Sequence, residues 1–352
     1  MNHTGQENEI AIIGGNISGI STAFGLIKKS IPVQLYETAI WDKPCGGGFG
    51  RNFARMLSDI GVNIPVRYTN DLIIATAYKK VEVRIPLAIA SRRKLQEALL
   101  AVLGKNNGVT INLGQKLDFS KDFDKFQKIN VVAAGVSGFS RQALSKSLND
   151  VGTFQYQLLN ASNSLEDFDA TIFYFLPRLK GYAWLFPAPE GKVDIGVGGL
   201  TKTTTADRNL ELAKFVRWCN RTYDLDINAK AKSRSWGIPI PISKPGKIVH
   251  KLGGKTFVGV GDAIELPDPV TAAGIESAWA SGQLVAEAIK SGDKIDLLAY
   301  SNYLHEDLRK RKLVSRIGAI HARISRHRLI FHLLFPLIPG QILNQLYSTL
   351  ET

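Results

Sequence analysis

Three segments near the start of the chain differ in how their apolar residues are spaced. Residues 10–15, IAIIGG, begin with an unbroken apolar run, which is typical of a parallel strand buried on both faces. From Ser18 to Lys29 the apolar residues recur at helical spacing, and residues 33–37, VQLYE, form a second short strand pattern. This order predicts a strand–helix–strand unit with parallel strands.

A glycine turn lies between the first strand and the helix. It reads Gly14-Gly15-Asn16-Ile17-Ser18-Gly19, a variant of G-x-G-x-x-G in which Asn16 replaces the second glycine. Such a turn brings a pyrophosphate to the positive helix N-terminus, and an acidic residue about 20 positions later, here Glu37, binds the adenosine ribose. We expect Asn16 to adopt a tolerated geometry, such as the left-handed region, or to displace the phosphate slightly. The alternative is a surface turn that happens to contain glycines.

Three later segments resemble the FAD-binding motifs of the para-hydroxybenzoate hydroxylase superfamily. Ser91-Arg92-Arg93-Lys94-Leu95 opens a helix, residues 130–135 (NVVAAG) end a strand at Gly135, and residues 257–263 (FVGVGDA) contain Asp262. The resemblance implies that Arg92, Gly135 and Asp262 contact FAD, with Asp262 at the ribityl hydroxyls. A helix over 273–290 would follow the segment that ends in Ala272, Ala273 and Gly274. Each segment alone is equally typical of an ordinary strand–helix connection.

Two further segments resemble the geranylgeranyl reductase family. Residues 42–48 read DKPCGGG, and residues 182–198 match Y-x-W-x-F-P, eight residues, then G-x-G. The resemblance covers about 9–290 and implies FAD-dependent reduction of isolated C=C bonds in a C20 geranylgeranyl chain, as in ether-lipid precursors. The sequence departs from the family at Ala272, where a glycine is usual, and the chain is shorter than many members. The residues that carry the motifs are Gly46, Gly47, Gly48, Tyr182, Trp184, Phe186, Pro187, Gly196 and Gly198.

Tyr182, Trp184 and Phe186 alternate along one predicted strand, so their rings point to one face. Large rings on one face would make an aromatic wall against an isoprenoid chain, whose apolar area supplies most of the binding energy. The alternative is that these aromatics belong to the protein core.

Cys45 is the candidate catalytic residue. Alkene reduction needs a hydride and a proton on adjacent carbons, and a thiol, which keeps its proton at neutral pH, has the chemistry to donate or relay that proton. The family motif has a cysteine at this position. The alternative is that Cys45 is a small buried hydrophobe. Cys219 is expected in the core or at the surface, and the cysteine and histidine spacing predicts no metal site and no disulfide framework.

These patterns predict an α/β protein with a discontinuous Rossmann-like FAD domain. We place that domain at 1–66, 88–150 and 251–295, a substrate domain with an antiparallel sheet at 67–87 and 151–250, and a C-terminal helical segment at 296–352. The polar start, MNHTGQEN, predicts no signal peptide. A cytoplasmic enzyme held peripherally at a membrane is expected.

The membrane prediction comes from the charge. The chain carries a formal net charge of +13, and 309–328 holds eight Lys or Arg without Asp or Glu, followed by an apolar stretch from Leu329 to Phe335. A basic helix beside an apolar segment suits an anionic membrane surface; the alternative is a solvated face beside a core helix. No nucleic-acid-binding motif is recognisable, so nucleic acid is not an expected partner.

Two other functions fit parts of the pattern. A flavin monooxygenase or halogenase shares the fold, and a prenyl-binding carrier, like the GDP-dissociation inhibitors, shares the dinucleotide-binding framework. Glu37, Arg92 and Asp262 favour a flavin enzyme over the carrier. The sequence contains no second dinucleotide fold for NAD(P)H, so the expected external electron donor is a ferredoxin, a deazaflavin or transiently bound NAD(P)H.

Overall fold

The computed structural model describes residues 9–41, 45–145, 151–160, 165–179, 181–199, 204–228, 234–239, 247–267, 273–290 and 294–304. The strands in chain order are β1 (Ile10–Ile13), β2 (Val33–Glu37), β3 (Gly48–Gly50), β4 (Arg67–Ala75), β5 (Lys80–Ile89), β6 (Val109–Leu113), β7 (Ile129–Val132), β8 (Val151–Asn160), β9 (Ala170–Leu176), β10 (Gly181–Ala188), β11 (Lys192–Gly199), β12 (Arg234–Pro239), β13 (Val249–Leu252), β14 (Lys255–Gly259), β15 (Ile289–Lys290) and β16 (Lys294–Ile295). The helices are α1 (Ile17–Ile27), α2 (Arg51–Asp59), α3 (Arg92–Leu103), α4 (Gly138–Ala143), α5 (Thr205–Tyr223) and α6 (Ile275–Ala288).

The described residues form two compact units. The first draws on Met1–Trp41, Gln96–Asp150 and Pro239–Ser315, and the second on Asp42–Leu95 and Val151–Ile238. The second unit thus includes 45–66 and 88–95, which the sequence analysis placed with the nucleotide-binding domain. The reason is strand pairing, because β3 hydrogen-bonds to β5 as an edge strand, with Gly48 opposite Ile89. The predicted domain limits as a whole stay predictions.

The first unit is built on a six-stranded sheet in the order β13-β14-β7-β1-β2-β6. Every pair is parallel except β13 with β14. All four residues of β1 and of β7 are buried, as the unbroken apolar runs predict. The predicted strand–helix–strand unit is therefore present as β1, α1 and β2.

Helices α1 and α6 pack closely against each other in this unit. A Cβ on Gly282 would fall 2.4 Å from the backbone oxygen of Ser18, so only glycine permits this approach. The hydroxyl of Ser21 donates to the Trp279 carbonyl over 2.6 Å. Helix α6 lies within the predicted helix at 273–290, and its Ser281 hydroxyl accepts from the Gly261 N–H, just after β14, over 3.0 Å.

The second unit is built on an eight-stranded sheet in the order β12-β8-β11-β10-β9-β4-β5-β3. Adjacent strands from β8 to β3 in this order pair antiparallel, except β4 with β9, which are parallel. One face of this sheet forms a core with α5, where Leu185, Ile195 and Phe215 are fully buried. The predicted class, a Rossmann-like region with a separate antiparallel-rich sheet, is confirmed.

The predicted C-terminal segment lies mostly outside the described residues. Residues 297–304 are helical, and 305–352, which include the basic run and the apolar stretch, are not described. Within the described part of the chain, no helix is both long and apolar enough to span a bilayer.

Candidate active site

The glycine turn of the first unit is packed too tightly for side chains. A Cβ on Gly14 would fall 2.4 Å from the Ala133 carbonyl oxygen, and Gly14 itself has a φ of +110°. A Cβ on Gly19 would fall 1.9 Å from the Gly14 carbonyl oxygen. The turn is fixed by a hydrogen bond of 2.8 Å from the Gly14 N–H to the Tyr36 carbonyl. These contacts hold the first turn of α1 directly against the ends of β1 and β7.

Asn16 takes the place of the second motif glycine with an ordinary backbone conformation and a capping side chain. Its backbone is extended, with φ −102° and ψ −169°, so no left-handed geometry is needed. The residue is the N-cap of α1, and its side-chain oxygen accepts from the Ile17 N–H over 2.8 Å. Asn is among the preferred N-cap residues because its side chain satisfies backbone donors that have no partner within the helix. Asn16 therefore stabilises the start of α1.

Glu37 is buried, at 7% exposure, and holds the turn from the opposite side. One carboxylate oxygen accepts from the Gly15 N–H over 2.8 Å. The other accepts from the N–H of Thr38 over 2.7 Å and lies 3.4 Å from the indole nitrogen of Trp41. The end of β2 thereby places an acidic group at the glycine turn, as the dinucleotide pattern predicts.

Gln96 supports the same turn and was missed in the sequence. Its amide group donates to the Gly15 carbonyl over 2.8 Å and accepts from the Trp41 N–H over 3.1 Å. The side chain is completely buried in the middle of α3. The sequence offers no signal for this role, because Gln96 bonds to a carbonyl 81 positions away along the chain.

Asp262, Gly135 and Gly274 lie together in the first unit. Gly135 follows β7 with a φ of +59°, and Asp262 lies in a 3-10 turn after β14. A Cβ on Gly274 would fall 3.6 Å from a carboxylate oxygen of Asp262. Ala273 and Gly274 directly precede α6, whereas Ala272 lies outside the described residues. The structure thus brings the last two predicted FAD motifs to one place.

Cys45 begins a glycine loop in the second unit that packs on an aromatic ring. A Cβ on Gly46 would fall 2.3 Å from the Phe186 ring, and one on Gly48 would fall 2.9 Å from it. Gly47 has a φ of +71° and pairs with Ala90, whose N–H donates to the Gly47 carbonyl over 3.1 Å. The Cys45 sulfur accepts from the Gly47 N–H over 3.4 Å, and the residue is half-buried. The two reductase-type segments therefore meet at Phe186.

The aromatic residues of β10 lie on one face, as predicted. Phe173, from β9, sits edge-on to both Tyr182 and Phe186, with ring centroids 5.0 Å and 5.4 Å apart. Trp184 lies directly over Gly196, where a Cβ would fall 2.1 Å from the indole ring. Tyr182 is opposite Gly198, and Pro187 is opposite Val193. All three predicted rings are buried within the second unit, so whether they also contact a substrate stays a prediction.

Asp194 is the second functional candidate that the sequence analysis missed. It faces Phe186 across the strand pair and accepts from the Trp184 indole N–H over 2.6 Å. Burial raises the pKa of Asp194 to about 8, against the smaller lowering effect of the Trp184 hydrogen bond. The sequence did contain one signal for a buried acid, because Asp194 stands between apolar and glycine residues of β11. It lies on the face of the sheet that carries Trp184 and Phe186 of β10.

A cleft in the second unit brings several of these residues together. It measures about 620 Å³, including the space open to solvent. Cys45, Gly46, Arg92 and Asp194 line it, together with apolar positions such as Ile89. Arg92 starts α3, and Ser91 accepts from the Lys94 N–H over 3.3 Å at that helix end. A predicted FAD ligand and the predicted catalytic cysteine therefore share one cleft.

Cys219 belongs to the core rather than to a site. It is fully buried on α5 in the cluster beneath the sheet, and burial raises the pKa of its thiol. Among the described residues, no group of three or more His, Cys, Asp or Glu is arranged to hold a metal ion.

No protein-family model matches the chain. Digeranylgeranylglycerophospholipid reductase 2 of Methanosphaera stadtmanae is 28% identical over 206 residues, which are 54% of this chain and 49% of the relative. The match thus spans about half the length of that relative. The protein of the same name from Methanothermobacter thermautotrophicus is 24% identical over 355 residues, with 88% of this chain and 84% of the relative covered.

Solved structures share the fold over nearly the whole chain. A geranylgeranyl bacteriochlorophyll reductase-like protein of Thermoplasma acidophilum has a TM-score of 0.68 at 20% identity, with 92% of this chain and 90% of that chain covered. The flavin-dependent brominase Bmp2, as a triple mutant, has a TM-score of 0.69 at 16% identity, with 97% and 95% covered. The curated relatives confirm the resemblance to geranylgeranyl reductases that the motifs predict, and the solved structures show the shared fold.

Proposed function

We propose that the protein binds FAD and uses it to reduce isolated C=C bonds in a geranylgeranyl chain, in an ether-lipid precursor. The observation that carries this proposal is the contact between the Cys45–Gly48 loop and Phe186. It joins the two reductase-type segments in one cleft, although 42–48 and 182–198 are far apart in sequence. The reductase names of the curated relatives support the same activity.

The residues of the first unit fit a dinucleotide such as FAD. A Cβ at any of three glycines at the start of α1 would clash with neighbouring atoms. The absence of side chains there lets a pyrophosphate approach the backbone closely. Glu37 is buried at the end of β2, where its carboxylate would accept hydrogen bonds from the hydroxyl groups of an adenosine ribose. Asp262 lies beside Gly135 and Gly274, and the resemblance assigns it the contact with the ribityl hydroxyls. Asn16 caps α1 and leaves the fit intact.

The second unit fits the substrate and the proton chemistry. When bound, reduced FAD supplies a hydride to one alkene carbon. Cys45, which lines the cleft, would donate its thiol proton to the adjacent carbon. Tyr182, Trp184 and Phe186 give the strand beside it an aromatic face that suits a prenyl chain.

The electron donor and the lipid surface belong to the same proposal. A ferredoxin, a deazaflavin or NAD(P)H would reduce the flavin between turnovers. The basic run at 309–328 and the apolar stretch after it, outside the described residues, would hold the enzyme at an anionic membrane where its lipid substrate lies.

The test begins with cofactor content and continues with product analysis. Purified protein should show flavin absorbance and release FAD, not FMN, on denaturation. Incubation of a digeranylgeranylglycerophospholipid with dithionite-reduced protein should add two hydrogen atoms per double bond by mass spectrometry. Hydroxylated or brominated products would instead indicate the oxygenase or halogenase chemistry of this fold, and protein that binds the lipid but no flavin would indicate a carrier.

Cys45 is tested within the same assay. Cys45→Ala should retain FAD and its reduction by dithionite but lose alkene reduction by about 100-fold, the usual scale for a general acid. Cys45→Ser should retain part of it. Cys219→Ala is the matched control, since Cys219 lies in the α5 core, and it should affect stability only. Unchanged turnover in Cys45→Ala would assign Cys45 to packing.

A further inference from the structure

Trp41 belongs to a closed ring of hydrogen bonds around the glycine turn of the first unit. The Gly15 N–H donates to the Glu37 carboxylate over 2.8 Å, and the Gly15 carbonyl accepts from the Gln96 amide over 2.8 Å. Gln96 in turn accepts from the Trp41 N–H over 3.1 Å. The Trp41 indole N–H donates to Glu37 over 3.4 Å and closes the ring. Trp41 is therefore held at the turn through both its backbone and its side chain.

Trp41 differs from the other side chains of this ring in its exposure to solvent. Gln96 and Glu37 are buried, whereas Trp41 is 41% exposed. An indole ring offers a large apolar area, and the part left in water contributes nothing to the stability of the fold. Single exposed aromatic residues are ordinary on a protein surface. This one, however, is bonded to the carboxylate that the dinucleotide pattern assigns to a ribose.

The Glu37 carboxylate fixes where an adenosine would lie relative to this ring. Besides Trp41, the same carboxylate oxygen accepts from the backbone N–H groups of Thr38 over 2.7 Å and Ala39 over 3.3 Å, so its position is set by the chain itself. A ribose whose hydroxyls donate to Glu37 lies beside the indole, because the indole nitrogen is 3.4 Å from that carboxylate. Adenine is joined directly to this ribose, and flat bases stack on aromatic rings.

We infer that Trp41 forms part of the adenosine site, where its ring packs against the adenosine of FAD while its N–H holds Glu37 in place. This inference rests on the FAD binding in the proposed function and does not depend on alkene reduction. Neither sequence motif assigns the residue. Trp41 lies after the acidic residue that ends β2 and before the segment DKPCGGG at 42–48.

The test measures how tightly the FAD-loaded chain holds its cofactor, without any substrate. The concentration of FAD that passes an ultrafiltration membrane gives the Kd of FAD. Trp41→Ala should raise this Kd by about 10-fold, the scale of one base–aromatic contact. Trp41→Phe keeps a ring and should recover most of the affinity. Trp279→Phe is the matched control, because Trp279 lies in the same unit against Phe24, between α1 and α6, and it should leave the Kd unchanged.

Two competitors of FAD separate the adenosine from the glycine turn. ADP carries an adenosine and a pyrophosphate, whereas inorganic pyrophosphate carries only the group that the turn would bind. The inhibition constant of ADP, measured by the release of FAD, should rise about 10-fold in Trp41→Ala, since ADP loses the same contact as FAD. The inhibition constant of pyrophosphate should stay at the wild-type value.

Three outcomes would overturn the inference. The first is an unchanged Kd of FAD in Trp41→Ala. The second is an equal weakening of pyrophosphate and ADP, because Trp41 would then only shape the turn. The third is an equal loss of affinity in Trp41→Phe and Trp41→Ala, because the indole N–H rather than the ring would then matter.

These measurements also separate the inference from the proposed function. Wild-type protein that shows the expected shifts but reduces no alkene would refute the reductase function and leave the role of Trp41 intact. An active wild-type protein whose Trp41→Ala variant holds FAD equally well would do the reverse. Wild-type protein that binds neither FAD nor ADP would refute both.

Discussion

Replacement of Asp194 by Asn should make the protein's stability less dependent on pH. In the folded protein the pKa of Asp194 is raised to about 8 by burial, whereas an aspartate in the unfolded chain titrates near about 3.9. Between these two values the folded state binds a proton that the unfolded state has lost. The free energy of unfolding therefore decreases as pH rises through this window, since the folded pKa is the higher one.

The magnitude of this pH dependence follows from a difference of one bound proton between the folded and the unfolded state. Within the window, one proton changes the free energy of unfolding by about 1.4 kcal/mol per pH unit. From pH 5 to pH 7 the wild-type protein should therefore lose about 2.7 kcal/mol relative to Asp194→Asn, which has no proton to lose. The contribution is fully present below the unfolded pKa and is gone above about pH 8.

The assay is urea unfolding of FAD-free wild-type and variant protein at pH 5, 6 and 7, because a ligand that binds the folded state would add its own free energy. Asp207→Asn is the matched control. Thr204 lowers the pKa of Asp207, so this residue is charged in both the folded and the unfolded state above pH 5. The difference in free energy of unfolding between Asp207→Asn and wild type should therefore not change with pH. Parallel pH dependence of wild type and Asp194→Asn would refute the argument, because Asp194 would then be ionised in the folded protein.

Three further substitutions test the packing around the two sites. Gly19→Ala should abolish FAD retention, because its Cβ would fall 1.9 Å from a backbone oxygen of the same turn; flavin absorbance after gel filtration measures this. Gly46→Ala should leave FAD in place but slow alkene reduction, because its Cβ would displace the Phe186 ring at 2.3 Å; unchanged kcat and KM would contradict the role of this contact. Gln96→Leu should lower the free energy of unfolding by about 1 to 3 kcal/mol in urea titrations, since it leaves the buried Gly15 carbonyl and the partly exposed Trp41 N–H without their hydrogen bonds.

The sequence predicted those parts of the fold that depend on local patterns. The apolar runs of β1 and β7 and the helical spacing of α1 are visible without a structure, because burial on both faces leaves an unbroken apolar segment. The glycines at 14, 15 and 19 were visible as a turn motif between a strand and a helix, although the atoms that Gly14 and Gly15 approach belong to Ala133, Leu35 and Glu37 elsewhere in the chain. Asn16 was expected to adopt a tolerated backbone geometry or to displace the phosphate; its backbone is extended, which any residue tolerates, and its side chain caps the helix.

Gln96 and Asp194 were missed because their roles depend on residues that are distant in sequence or lie across a strand pair. Nothing near Gln96 in the sequence indicates a bond to the Gly15 carbonyl. For Asp194, the strand register alone decides that the carboxyl group faces Trp184 and Phe186 rather than solvent, since a shift of one residue would turn it to the other face.

The reductase-type motif fixes the glycines and aromatic residues of the wall, but it does not fix the acidic residue that lines the cleft. The motif glycine at Gly196 leaves space for the Trp184 ring, and Gly46 does so for Phe186. The motif therefore specifies how an aromatic wall packs against a cysteine loop. Asp194 falls in the stretch of eight residues whose identity the motif leaves open. A protein with the same motif and a non-acidic residue at this position would build the same wall without a buried carboxyl group beside Trp184, so its stability should lack the pH dependence that Asp194 gives this one.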